Sequence, residues 1–303
     1  MNRTPIYKHS GTYAAEHDQM KRYLASFRAH TACKEAIEQA IAENYHNNCL
    51  SRDAAKSVIA EFGIKRTMYI LAATIRANES DGRINSDNKS WAQAFPLVED
   101  VNGCGRDQTR DFSLYRTHPG LINLFTDMVR EEAAISRPVY KRTGDEARKA
   151  GKLAEYRMSC RVNCLCQREI EDAVFSGWDG MRIAPDVVKQ VLERFGAERV
   201  SYVLANTVQQ QELDERFSSD NRLWAETVPL FVPPENRNYC IVHSHPAKLD
   251  SFITGARKEM LQMEKEAQCA AKEKKPSVRK KLQSKTEAPP TPKPPVKPKS
   301  RER

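Results

Sequence analysis

Apolar positions along this chain form one pattern, and the pattern occurs twice. Met20, Tyr23, Leu24, Phe27, Cys33, Ile37, Ala40 and Ile41 recur at helical spacing, which predicts a long amphipathic helix. Leu153, Tyr156, Ile170, Ala173 and Val174 repeat that spacing later in the chain. Ser51-Arg52-Asp53 then offers a helix cap before Val58, Ile59 and Phe62, and Gly63 closes the run. The counterpart opens at Ala184-Pro185-Asp186, carries Val187, Val188, Val191, Leu192 and Phe195, and closes at Gly196. A third helix follows at once, through Met68, Ile70, Leu71, Thr74 and Ile75 or through Val200, Val203, Leu204 and Val208. Two short runs, 111–115 and 239–242, read as strands. His-Pro ends each of them, and a last helix is expected from near Leu121 or Leu249.

Between the third helix and the strand candidates lies a polar block. DGRINSDNKSWA (81–92) and DERFSSDNRLWA (214–225) share D-x-R-x-x-S-D-N-x-x-W-A. The block belongs to a larger duplication. Residues 4–96 align on 137–229 without a gap, and roughly a third of the pairs are identical. Pro5, Tyr7, Lys8, Tyr23, Cys33, Arg66 and Tyr69 recur as Pro138, Tyr140, Lys141, Tyr156, Cys166, Arg199 and Tyr202. After a change in loop length, His118-Pro119 and Phe125 line up with His245-Pro246 and Phe252. The reading is two homologous tandem α-rich repeats, 1–132 and 137–262, mainly α with a minor β element, and a basic tail at 272–303. The two units are expected to pack as a pseudo-symmetric pair.

Charge changes the picture only at the end of the chain. The net charge is +9, and residues 272–303 hold twelve Lys/Arg against three Asp/Glu, so the rest is near neutral. The Pro/Lys-rich tail has too little apolar surface to fold and is expected to be disordered. Non-specific contact with nucleic acid through 272–303 is one use for it; solubility is another. No apolar run is long enough for a membrane span, and MNRTPIYKHS has no signal-peptide core, so a cytoplasmic protein with reduced thiols is expected.

The polar residues shared by both copies are Asp81, Arg83, Asp87, Asn88 and His118, with Asp214, Arg216, Asp220, Asn221 and His245. Trp91 and Trp224 read as the core tryptophans of the short helices that the block opens. Ser86-Asp87-Asn88 and Ser219-Asp220-Asn221 read as the helix caps, with Arg83 and Arg216 free to pair with Asp81/Asp87 and Asp214/Asp220. If each set converges, its chemistry suits a loop-fixing network, a binding groove or acid–base work. A buried or structural network is the simplest of the three. His243-Ser244-His245 and Cys160-x3-Cys164-x-Cys166 lack the partners and spacing of a metal site. Residues 51–76 have a helix-turn-helix outline, but the second helix is apolar where a DNA reader is polar. Neither a metal nor a cofactor is expected.

P-x-Y-K, the S-D-N-x-x-W-A block and the S/T-H-P entry to a final helix occur in order, twice. This arrangement resembles a bacterial family, domain of unknown function 3849, over roughly 5–132 and 138–262. The resemblance implies an accessory protein of a mobile, conjugative-type element and brings no catalytic residue. The expectation is a non-enzymatic binding or scaffolding protein with an unidentified protein partner and no membrane contact. A nucleic-acid-associated protein acting through its tail, in transfer or against host defence, is the alternative. An enzyme using the Asp/Arg/Asn/His set is the third.

Overall fold

The computed structural model of the chain describes residues 4–97, 113–231 and 239–273. The expected tail lies outside the described residues, apart from its first two positions. In unit one the elements are α1 (Gly11–Glu16), α2 (Met20–Asn44), β1 (Tyr45–His46), β2 (Cys49–Leu50), α3 (Arg52–Phe62), α4 (Ile64–Ala77), α5 (Ser86–Ala94) and α6 (Pro119–Ala134). Unit two has α7 (Gly144–Lys149), α8 (Leu153–Ser176), α9 (Pro185–Phe195), α10 (Ala197–Gln210), α11 (Ser219–Thr227) and α12 (Pro246–Glu273). The fold is mainly α in two tandem units, and each has its own hydrophobic core.

The third helix of each unit is central. Tyr69–Ile75 of α4 and Tyr202–Val208 of α10 are buried without interruption. A helix apolar on every side must be surrounded. α2, α5 and α6 pack around α4, and α8 and α11 around α10. The buried run 69–75 of α4 has no face to place in a DNA groove, in keeping with the apolar sequence that set the helix-turn-helix outline aside. Gly63 joins α3 to α4 and Gly196 joins α9 to α10, at φ 79° and 78°. At that φ a side chain is strained, so a glycine lets one helix follow another without a loop.

An arginine holds the start of each unit in place. Arg66 is buried and donates from Nη1 to Ser26 O (3.1 Å) and from Nη2 to Thr4 O (2.6 Å). Arg199 repeats this toward Ser159 O (3.3 Å) and Arg137 O (2.8 Å). The extended P-x-Y-K segment is thereby tied to the long helix. The Tyr7 and Tyr140 amides add bonds to Ser26 Oγ and Ser159 Oγ, each 3.0 Å.

The β expectation needs correcting. Residues 111 and 112 lie outside the described residues, and neither Ser113–Tyr115 nor Tyr239–Val242 is a strand. Leu114 and Ile241 are buried, as an alternating strand pattern demands, but each amide donates to a threonine hydroxyl, Thr74 Oγ1 or Thr207 Oγ1, at 3.1 Å. The side chains pack against helices, and no second strand is needed. The described sheet is a hairpin, β1–β2, turned by Asn47 and Asn48 at φ 51° and 61°. Among the described residues, unit two keeps the bridge Trp178–Ile183 at the matching register.

The units meet head to tail. α6, the last long helix of unit one, lies against α8, the long helix of unit two. Asp87–Arg157 (3.0 Å), Asp127–Arg161 (2.9 Å), Glu132–Arg194 (2.8 Å) and Glu169–Lys56 (3.4 Å) cross the joint. A two-fold pair would also set α12 on α2 in the same way. The described contacts do not do so, which corrects the pseudo-symmetric arrangement.

The arginine's neighbour differs between units, and that difference is testable. Asn163 accepts from Arg199 Nη1, whereas His30 occupies the corresponding place in unit one, stacked on Tyr69 at 4.6 Å. Burial, and then the Arg66 charge, push His30 down to about 3. The unfolded imidazole takes up a proton below about pH 6.5. The folded one does not, so stability is lost as pH falls from about 6.5 toward 3. Relative to pH 7, unit one is expected to lose about 2 kcal/mol at pH 5 through this group. His30→Asn should flatten that slope in urea titrations. Equal slopes in the two proteins would refute it.

Candidate functional site

The repeated block splits into an exposed half and a buried half. In the exposed half, Asp81 Oδ1 accepts from the Arg83 amide and Nε, each at 2.9 Å, and Oδ2 accepts from Nη2 at 2.6 Å. Asp214 and Arg216 repeat this fork at 3.0, 2.8 and 2.7 Å. Hydrogen bonds from these arginines hold both carboxyls down at about 2. Arg83 therefore pairs with Asp81 and not with Asp87, and Arg216 with Asp214 and not with Asp220.

His118 joins this corner from the start of α6. Its Nδ1 accepts from the Gly120 amide (3.1 Å), capping the helix. A neutral ring then carries its proton on Nε2, which lies 3.4 Å from Arg83 Nη1. Two donors face each other there, so the pair is a juxtaposition of donors that an outside acceptor would satisfy. His245 caps α12 in the same way, through the Ala247 amide at 3.3 Å.

The buried half pins the short helix to the last helix. Asn88 is fully buried. Its Nδ2 donates to Asn123 Oδ1 (2.9 Å) and Asp127 Oδ1 (2.9 Å), and its Oδ1 accepts from Arg130 Nη1. Asn221, also fully buried, donates to Asp250 Oδ1 (2.8 Å) and Thr254 Oγ1 (3.0 Å) and accepts from Arg257 Nη1 (2.6 Å). Each arginine lies over its tryptophan, Arg130 at 5.3 Å from Trp91 and Arg257 at 5.6 Å from Trp224. The tryptophans are half-buried at the core edge under these cations, rather than inside it.

Asp87 serves a third purpose, the inter-unit pair with Arg157. Asp220 is exposed, and its carbonyl accepts from Arg257 Nη1 at 3.2 Å. The helix caps lie one residue earlier than expected. Asn85 caps α5 through the Asn88 amide (2.7 Å), and Ser218 holds the position before α11. Buried Ile84 and Phe217 immediately before them set that register. The set thus gathers Asp81, Arg83 and His118 at one corner and sends Asp87 and Asn88 elsewhere. Arg130, Arg257, Asn123 and Asp250 were missed as partners. A signal existed, because Arg130 and Arg257 stand at the same distance after His118 and His245.

Two matches to one family span almost the whole described chain. The family described as protein of unknown function (DUF3849) matches residues 6–134 and again 139–261. The chain belongs to that family, as two tandem copies. Both DUF3849 copies contain the complete block and its histidine cap. No curated protein matches the chain, and no solved structure does.

No group of three or more potential metal ligands occurs among the described residues, and none of their helices is long and apolar enough to cross a membrane. Cys166 is buried, which pushes its thiol up, away from the thiolate that a metal needs.

Removing the Asn pin should cost far more than removing the supposed cap. Asn88→Ala leaves Arg130 and the α6 acceptors unmatched and is expected to lose about 2–3 kcal/mol. Ser86→Ala, on the exposed first turn of α5, should change stability by less than about 0.5 kcal/mol. Urea unfolding of both variants checks the ranking, and the reverse order would refute it.

Proposed function

We propose that this DUF3849 protein is a non-enzymatic binding or scaffolding protein that meets a protein partner through the Asp81–Arg83–His118 corner and its twin, Asp214–Arg216–His245. One observation carries the reading. The corner is exposed yet held rigid, because Asp81 fixes the guanidinium and the helix amide fixes the imidazole. A donor surface already ordered loses little entropy on binding an acceptor. The corner in the second unit offers the same forked arginine, so a partner with two acidic contacts would engage the chain at both.

The enzymatic alternative asks for a carboxylate free to move a proton beside the imidazole. Asp81 is held ionised by Arg83, and Asp87 is turned toward Arg157. The nucleic-acid alternative depends on the tail, outside the described residues. A cytoplasmic, mobile-element setting belongs to the proposal and rests on the family resemblance.

The test is the double variant Arg83→Ala with Arg216→Ala. These exposed changes should leave the melting temperature within about 3 °C of the wild type. Capture from native lysate, after nuclease treatment, should lose a specific acidic protein retained by the wild type. If the folded variant keeps every partner, the corner is not the binding surface. If nuclease removes the partner, the nucleic-acid reading takes its place.

A further inference from the structure

Each unit has an open hollow beside its P-x-Y-K segment, and the charged groups around the two differ. In unit two the cavity is about 600 Å³ and lies against Lys141, Glu155 and Arg199. Lys141 Nζ is bridged there to Glu198 Oε1 at 2.8 Å. Glu198 also lies in the first turn of α10, where a carboxylate complements the helix N-terminus.

Unit one has a cavity of about 920 Å³ that shares the opening segment and the buried arginine with that one but lies against the α3–α4 joint and Phe95–Leu97 instead of the long helix. Its walls are mainly apolar, with Ile6, Phe62 and Leu97 among them, and they carry Lys8, Lys65 and Arg66. Lys65 stands where unit two has Glu198, and the first turn of α4 holds no acidic residue. Neither Lys8 nor Lys65 has an ion pair among the described residues. Arg66 spends its Nη donors on the Thr4 and Ser26 carbonyls, so it adds positive charge to the wall. At these positions unit two thus pairs its lysine with its own carboxylate, and unit one gathers three cations around an apolar hollow.

A hollow of this size suits a small organic ligand. Its apolar walls favour a hydrocarbon body, and its cations favour a negative head. We propose that unit one binds a small amphipathic anion, a carboxylate with a medium-length apolar chain. The head lies toward Lys8 and Lys65, and the chain lies along Ile6, Phe62 and Leu97. This site is separate from the Arg83 corner and does not depend on it.

Decanoate, titrated calorimetrically into the full-length protein, is the probe, with decanol as its uncharged counterpart. Decanoate is expected to bind at one site per chain and more tightly than decanol. Lys65→Glu, which copies the lysine–glutamate pair of unit two, should weaken decanoate at least about tenfold, the equivalent of one lost charge contact. Its effect on decanol should be under about twofold. Lys8→Ala should weaken decanoate in the same direction. Arg83→Ala with Arg216→Ala should leave decanoate affinity unchanged, which separates this site from the proposed partner surface. Thermal melts confirm that each variant is folded. Absence of decanoate binding to the wild type would overturn the proposal. So would equal affinity for decanol, or decanoate binding that Lys65→Glu leaves intact.

Discussion

A buried guanidinium anchored by backbone carbonyls is the interaction on which each unit depends. Arg66 and Arg199 reach out of the central helix, past the long helix, to the extended segment that opens the unit. A buried cation is costly unless its donors are met. Here carbonyl oxygens, joined in unit two by Asn163 Oδ1, meet the Nη donors, Arg199 Nε is left without a partner among the described residues, and burial lowers both arginines from their ordinary range. The planar fork of arginine spans two carbonyls at once, a geometry that a lysine ammonium lacks. The opening segment, the long helix and the central helix are therefore fixed by one side chain, and the cavities beside that segment take their shape from it.

The same economy appears in the block that repeats. Asn88 and Asn221 each tie a short helix to a last helix, using partners that differ in chemistry but not in place: Asn123 and Asp127 in one unit, Asp250 and Thr254 in the other. The joint between units is different in kind. Arg157, Arg161 and Arg194 form three of its ion pairs, Lys56–Glu169 being the fourth, and the counterparts of the three arginines in unit one are Leu24, Arg28 and Glu61. Asp127 and Glu132 correspond to Thr254 and Glu259. The pairs that join the units are thus not available at the free ends, and Glu61 would meet Glu259 there. In each pair at the joint, one partner is a residue that the duplication does not share.

The helices were legible because their apolar spacing is regular, and Gly63 and Gly196 mark a joint that only a positive φ allows. The two-unit organisation was legible from the duplication. The caps were misplaced by one residue, since the polar run at 85–88 offers several side chains that can cap. Only the burial of Ile84 selects Asn85. The strand reading failed because alternation reports burial on one side, and a threonine hydroxyl replaced the neighbouring strand. The exposed corner was half legible: Asp81 and Arg83 lie two apart, but His118 arrives from another helix. Arg66 and Arg199 were seen as a matched pair, yet nothing in a linear sequence says that a charged residue points inward.

The architecture and the proposed chemistry share one origin. Residues that face inward in both copies hold the units together, and those that face outward in both copies form the rigid corner. Each ion pair of the joint has one partner that differs between copies, and a difference at Lys65 leaves the cavity in unit one cationic. The claim beneath all three is that the buried guanidinium, by its shape as well as its charge, organises each unit. Urea unfolding of Arg66→Lys and Arg199→Lys tests it most directly, because lysine keeps the charge and loses the fork. The account predicts a loss of about 2 kcal/mol or more in the affected unit, since a carbonyl is left without its donor in each case. Lysine variants within about 0.5 kcal/mol of the wild type would contradict it.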